Sequence, residues 1–346
     1  MNPCTRRRFL ATSSSALGLL ARPGRAAAPQ VSFFAVSDTH FRAREEAPEV
    51  MEPASVLHNQ GLIAALNRLP GTPIPEAAGG GVVAAPAGVL HGGDLIDSGD
   101  KTGARHEAMQ RTEWAAYEQA FGRGDGTDGA LKWPVFEAIG NHDCPHRPNF
   151  VLERLAARQR ARTELTALSA NGLHTAWVWG GIPFIALGLT VGTDRTVARP
   201  RRYGAWESLD FLREVLAGLD RDQPVVVMHH IDIGRYAVEK PGADVTKWEW
   251  DPADVQAFHA ALAGRRAALF HGHTHRREFL RWDGSSTQAA SGLPVINIDN
   301  SAHFGSKAQA FFHVEVHADA LVLREYATRD GWATGEWTPQ VWRVPW

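Results

Sequence analysis

Five times along this chain a short apolar run ends in a group of Asp, His or Asn residues, and that recurrence narrows the folds open to it. The groups are Asp38-Thr39-His40, Gly93-Asp94, Gly140-Asn141-His142-Asp143, His229-His230 and Gly272-His273-Thr274-His275. Each follows a run rich in Val, Ile, Leu or Phe, the pattern of a buried strand. A lone Gly-Asn-His-Asp is compatible with an ordinary turn, because Gly and Asn tolerate left-handed backbone. Repetition makes it informative. Open α/β sheets bind their ligands beyond the C-terminal ends of their strands, so several strands are expected to deliver polar side chains to one rim.

Periodicity supplies the rest of the organisation. Strands are expected at 31–37, 88–91, 135–139, 224–228 and 267–270. A hairpin is expected from 173–179 and 182–189 around Gly180-Gly181. Helices are expected at 56–69, 106–121, 150–168, 205–219 and 251–263. The Arg-rich helix at 150–168 reads as a solvated face. Residues 70–88 and 122–129 read as loops, and the chain from Glu278 onward is mostly β, with runs at 295–298, 310–316 and 321–326. No internal repeat is visible. Alternating β and α units followed by a β-rich end point to a two-sheet sandwich flanked by helices.

The 346 residues are 44% apolar and 21% charged, within the range of globular proteins. The first residues differ from the rest. Thr5-Arg6-Arg7-Arg8-Phe9-Leu10, a weakly apolar run and Ala26-Ala27-Ala28 read as a twin-arginine export signal over residues 1–28. Residues 29–346 then form a single domain, with motifs at 38–275 and a β-rich part at 276–346. The expected location is the periplasm or the cell exterior, and the expected partner is the twin-arginine export machinery. Loss of Arg6, Arg7, Arg8, Arg22 and Arg25 takes the formal charge from −2 to −7. Such a chain is poorly suited to nucleic acid or anionic lipid. No transmembrane span is expected. Cys4 leaves with the signal, so Cys144 is the sole remaining thiol and no internal disulfide is expected. Cys144 reads as a buried inert side chain.

Oxygen and imidazole donors without thiolate suit Mn, Fe, Zn or Co. Asp38 and His40 alternate along an extended segment, and His273 and His275 repeat that spacing. One metal does not need seven candidate ligands. Two ions about 3.5–4 Å apart that share a carboxylate would use them all.

Taken in order, these five groups resemble the calcineurin-like metallophosphoesterase superfamily over residues 38 to 275. The resemblance implies an α/β fold, a four-layer αββα sandwich of two mixed β-sheets flanked by helices. It implies that Asp38, His40, Asp94 and His275 hold one divalent transition-metal ion. Asp94 as bridge, with Asn141, His229 and His273, would hold the second. His229 is taken over His230 because the family places its ligand directly after the strand, and His271 reads as a core imidazole. His142 is implied to face the substrate as proton donor, with Asp97 orienting it as in the serine/threonine phosphatase branch. A turn cap at Asp97-Ser98-Gly99 is the alternative for Asp97. Asp97 stands where purple acid phosphatases carry Tyr, and Ser98 where the protein phosphatases carry Arg, so the pattern is more similar to bacterial phosphodiesterases. The implied activity is hydrolysis of a small phosphoester, a diester over a monoester, by a metal-bridged hydroxide. A catalytically silent metal- or partner-binding protein is the alternative, and an intact His142 favours the enzyme. Near the motifs, Tyr236, Trp248 and Trp250, the loop residues Asn300, His303 and Phe304, and Arg42, Arg44, Arg276 and Arg277 are candidates for substrate contacts or plain packing.

Overall fold

In the computed structural model the described residues are 28–122, 128–144, 149–193, 197–198, 203–236, 242–285 and 287–346. The expected export signal lies outside them except for Ala28. In chain order the elements are β1 (Val31–Val36), α1 (Pro53–Arg68), β2 (Val89–His91), α2 (Ala104–Phe121), β3 (Val135–Glu137) and α3 (Phe150–Arg160). Then come β4 (Leu165–Leu168), β5 (Thr175–Trp179), β6 (Ile182–Ala186), α4 (Ser208–Ala217), β7 (Val225–Met228), α5 (Pro252–Leu262) and β8 (Ala267–His271). The chain ends with β9 (Glu278–Trp282), β10 (Leu293–Asn297), β11 (Gln309–Val316), β12 (Ala320–Thr328) and β13 (Glu336–Pro345).

Parity along the strands explains how these pieces layer. Successive side chains of a strand face opposite ways. In β1, Phe33 and Ala35 enter one apolar cluster while Phe34 and Val36 enter another. β7 divides likewise, with Val226 and Met228 in the first cluster and Val225 and Val227 in the second. The first cluster is the seam between two sheets, where Phe33 of β1 meets Phe184 of β6 edge-on at 5.3 Å and Phe136 of β3 stacks on Trp177 of β5 at 3.9 Å. The second joins the outer sheet faces to the helices. Strands covered on both faces read as continuous apolar runs, which is why they were legible.

One sheet has six strands in the order β13-β12-β11-β1-β2-β3, the other seven in the order β4-β5-β6-β7-β8-β10-β9. Both are mixed: β1-β2-β3 and β6-β7-β8-β10 are parallel, and the flanking strands are antiparallel. The fold is an α/β sandwich of two mixed sheets flanked by helices, as the sequence implied. Both parallel sets end near one rim. Gly180 and Gly181 take φ of 55° and 80° in the expected β5–β6 hairpin, a turn that needs left-handed backbone.

Two expectations fail around α3. The helix expected over 150–168 stops at Arg160, and residues 165–168 pair antiparallel with β5 as an edge strand of alternating exposure. Its arginines are not all solvated either. Arg158 Nε lies 2.6 Å and Arg162 Nη2 3.0 Å from the buried Glu137 carboxylate. Tyr117 and Gln159 each donate to the same carboxylate at 3.1 Å. Arg162 turning inward to Glu137 and to the Val135 carbonyl ends the helical path. Within the β-rich end expected from Glu278 onward, β9 and β13 carry no apolar run that delimits them: β13 holds Pro339 and largely exposed side chains, as an edge strand does.

Glu137 closes β3 just before the Gly140 turn, so the Tyr117 hydrogen bond ties that strand to α2 and the Arg158 ion pair ties it to α3. Glu137→Ala would leave the buried Arg158 guanidinium without its carboxylate partner and Arg162 with only the exposed Glu164, 3.0 Å away. A loss of about 3–5 kcal/mol is expected, read as a lower denaturant midpoint at unchanged slope.

Candidate metal centre

The rim is built from turns that only some residues can make. Asp38, His40, Asp94, His273 and His275 all have positive φ, between 42° and 77°. Asp and His enter this region more readily than most residues, yet each such position costs free energy that the surroundings must offset. Two glycines make room. A Cβ on Gly140 would strike the Asp94 amide and Oδ1, and one on Gly272 would strike Ser37 Oγ and Asp38 Oδ2. The buried Asp143 carboxylate then clamps two turns together, accepting from Gly140 N at 2.7 Å, Leu95 N at 2.9 Å and Ile96 N at 3.1 Å.

Asp38, His40, Asp94 and His275 offer ligand atoms that all lie within 4.8 Å of one another, as do those of His40, Asp97 and His303. These two acidic and histidine clusters are consistent with a binuclear divalent metal centre of uncertain identity. In the first, His275 Nε2 lies 3.2 Å from Asp38 Oδ1, and His40 Nε2 lies 3.5 Å from Asp94 Oδ2. In the second, His40 turns its other nitrogen, Nδ1, to Asp97 Oδ1 at 3.3 Å. A further group gathers on the far side of Asp94. His230 Nε2 is 3.3 Å from Asp94 Oδ2 and 3.0 Å from Asn141 Oδ1, which His273 Nδ1 approaches to 2.8 Å.

Electrostatics test whether cations fit here. Burial would favour neutral forms of these carboxylates, yet the histidines around them hold Asp38 and Asp94 well below the usual carboxylate range. Burial likewise opposes charge on His40 and His230. Hydrogen bonds to Asp38 and Asp97 nevertheless push His40 up to about 10, and the field of Asp94 pushes His230 up to about 9. The protein thus supplies cationic imidazoles where two buried carboxylates demand positive charge. His230 Nδ1 donates to the Gly92 carbonyl at 2.7 Å, so its neutral form presents the Nε2 lone pair to the cluster. An all-oxygen and imidazole donor set with that tautomer fits hard or borderline divalent ions.

The structure corrects two sequence expectations. His229 does not reach the cluster. Both its ring nitrogens are buried without hydrogen-bond partners, its ring packs on Trp250, Phe258 and His271, and burial followed by the neighbouring His271 and His230 keeps it neutral. Strand parity is the reason: His229 continues the helix-facing series Val225, Val227, whereas His230 continues the seam-facing series Val226, Met228. The Asp97 carboxylate does not hold His142 either. It faces His40, with Arg42 Nε and Lys101 Nζ each 3.6 Å from it. The Asp97 backbone carbonyl instead accepts from His142 Nδ1 at 3.0 Å, while His142 N donates to Asp94 Oδ1 at 2.7 Å.

The remaining candidates divide cleanly. His271, Trp250, Tyr236 and Asn300 are buried, and Cys144 sits in the helix-facing core. Arg44 pairs with Glu52 and Arg277 with Glu325. His303 stands at the rim, its ring 4.6 Å from that of His40 and 4.9 Å from that of His275. Sequence reasoning missed Glu249, whose Oε2 lies 3.3 Å from His273 Nε2; nothing in its local pattern marks it.

Metal content separates the two adjacent histidines. His230→Ala should lose one ion per chain by elemental analysis, Asp94→Ala should bind less than one, and His229→Ala should keep both while lowering stability.

Relatives recognised by structure have little sequence in common with this chain. A dimetal phosphatase from Danio rerio superposes with a TM-score of 0.53 at 14% identity, over 92% of this chain and 99% of that one. The structure of PhoD gives 0.49 at 11% identity, over 90% of this chain and 72% of that one. A phosphopantetheinyl hydrolase from Mycobacterium tuberculosis gives 0.36 at 11% identity, over 78% and 89%. The likeness to the first is one of fold alone. No curated protein sequence matches the chain. The sequence pattern of the family described as calcineurin-like phosphoesterase matches residues 31–277, a span that takes in β1 to β8 and all five motif groups, and the chain belongs to that family.

Proposed function

We propose that the protein is a binuclear-metal phosphoesterase that hydrolyses phosphodiesters in preference to phosphomonoesters. The observation that carries this reading is the position of Asp94 Oδ2, 3.5 Å from His40 Nε2 and 3.3 Å from His230 Nε2. A carboxylate oxygen with an imidazole on either side supports a reading in which Asp94 would serve both ions. Asp38, His40, Asp94 and His275 would hold one, and Asp94, Asn141, His230 and His273 the other. When bound, the ions supply an acidified water and Lewis acidity toward phosphoryl oxygens.

The chain's own groups do the rest. Asp38 and Asp94 offset part of the ionic charge and leave a positive shell suited to a singly charged phosphoryl group. Arg42 and Lys101 are engaged with Asp97, and Arg235 lies 3.6 Å from Glu249 and 3.9 Å from Asp232. Those pairings leave these cations poorly placed to take the second charge of a monoester, which supports the diester preference. His142 is fixed by its Nδ1–H bond to the Asp97 carbonyl, with its side chain 32% exposed. Its Nε2, when protonated, can donate to the departing alkoxide.

A panel of p-nitrophenyl monoester, diester and cyclic nucleotides with added Mn²⁺ tests the reaction class. Absence of turnover on all of them with both ions loaded would sink the enzyme reading and favour a metal-binding role. His142→Ala should keep both ions and lose roughly 10²–10⁴-fold in kcat/KM on esters of poor leaving groups. The loss should shrink on p-nitrophenyl esters, which need less protonation. Equal losses across esters of increasing alcohol pKa would rule out proton donation.

We also propose that residues 1–28 direct export and that residues 29–346 act as one domain outside the cytoplasm. Arg6-Arg7 ahead of Phe9-Leu10 supports this. Replacing both arginines by Lys should leave precursor in the cytoplasm, and unchanged secretion would refute it.

A further inference from the structure

Two of the cluster histidines, His40 and His273, turn their other ring nitrogen to a carboxylate, and the two carboxylates come from different parts of the chain. His40 Nδ1 faces Asp97, which comes from the loop after β2, three residues past Asp94 in the Gly93-Asp94 group. His273 Nε2 faces Glu249, which comes from the segment between β7 and α5 and belongs to none of the five motif groups. We infer that Glu249 is the positioning residue of the second ion's site, holding His273 in the tautomer that turns its Nδ1 lone pair toward Asn141. The inference rests on the binuclear centre proposed above.

The geometry leaves the carboxylate little freedom. Glu249 Oε2 is 3.3 Å from His273 Nε2, and a carboxylate can only accept, so Nε2 carries the proton. In the Nε2–H tautomer the lone pair is on Nδ1, which lies 2.8 Å from Asn141 Oδ1; two acceptors at that distance call for a cation between them, and an ion held by both would supply it. Tyr236 Oη donates to Glu249 Oε2 at 2.5 Å, Tyr203 Oη donates to Oε1 at 3.3 Å, and Arg235 Nη1 lies 3.6 Å from Oε2. Four groups from the loops after β6, β7 and β8 therefore converge on one side chain. Its backbone is anchored by the next residue: Trp250 is buried, its Nε1 donates to the Val191 carbonyl at 2.9 Å, and its ring packs on His229 at 5.4 Å. The histidine that turned inward thus supports the residue that orients another histidine. Carboxylate partners of this kind fix ring orientation and raise ligand basicity, and losing one typically costs about 10–100-fold in metal affinity.

The test is titration of the metal-stripped full chain with Mn²⁺, together with ¹⁵N-histidine spectra. Wild type should bind in two steps, one of which His230→Ala abolishes. Glu249→Ala should weaken that same step by about 10–100-fold, leave the other unchanged, and turn the His273 signal from the Nε2–H tautomer into a mixture. Glu249→Gln should lose less, because its amide oxygen still accepts from Nε2–H. An unchanged step in Glu249→Ala, or an equal fall in both steps, overturns the inference. Should Glu249→Ala fail to fold, Glu249→Gln decides: a fall confined to that step supports the role, and no selective fall refutes it. Two undiminished steps in His230→Ala would be a different failure, that of the placing of the second ion.

Discussion

A carboxylate buried without countercharge is among the least stable things a protein can contain, and this one buries Asp94 at the meeting point of two sheets. Its two oxygens have separate work. Oδ1 accepts from the His142 amide and so fixes the turn after β3, while Oδ2 lies between His40 and His230. Many local features of the rim follow from accommodating that one group. Gly140 has no Cβ because Asp94 fills the space, Asp143 ties the two turns together, and the backbone at Asp94 itself is left-handed. Its field, with that of Asp38 and Asp97, pushes His40 and His230 upward, the direction expected of ligands that must exchange protons for metal.

Alternation along the strands gives neighbouring residues unrelated duties. β7 and β8 are parallel partners with Val227 opposite Leu269 and Met228 opposite Phe270. The next residues in each strand direction, His229 and His271, stack at 5.6 Å in the helix-facing layer. His230, the next residue after His229, and His273, two residues past the end of β8 with φ of 77°, approach within 5.3 Å at the rim. The imidazole chemistry of the site and its hydrophobic support therefore come from the same short segments, one residue apart after β7 and two after β8.

That division also explains what the sequence could tell. Doubly covered strands such as Phe33–Val36 and Val225–Met228 announce themselves as apolar runs, and the motifs behind them mark the rim. Edge strands do not: β4 continues a helical-looking pattern, and β13 is mostly exposed. The order of residues after β7 does not separate His229 from His230; parity does, through the seam and helix-facing residues of the strand. At Asp97 the side chain faces His40 while the carbonyl faces His142, a split that no sequence pattern carries. Glu249 was out of reach. Its position depends on a loop brought from between β7 and α5, and only packing of Trp250 and two tyrosines reveals it.

The separation of the rim residues along the chain has a consequence for synthesis. Asp38, His40, Asp94 and Asn141 come from the first sheet, whereas His230, His273 and His275 come from the second, more than halfway along the sequence. A growing chain on the ribosome therefore offers no complete cluster until its second sheet has emerged and docked. Early metal capture by a half-made site would be weak, and the ion finally retained would be chosen by the pool present when the two sheets close. The identity of the metal would then record where and when this protein finishes folding, as much as which ligands it carries.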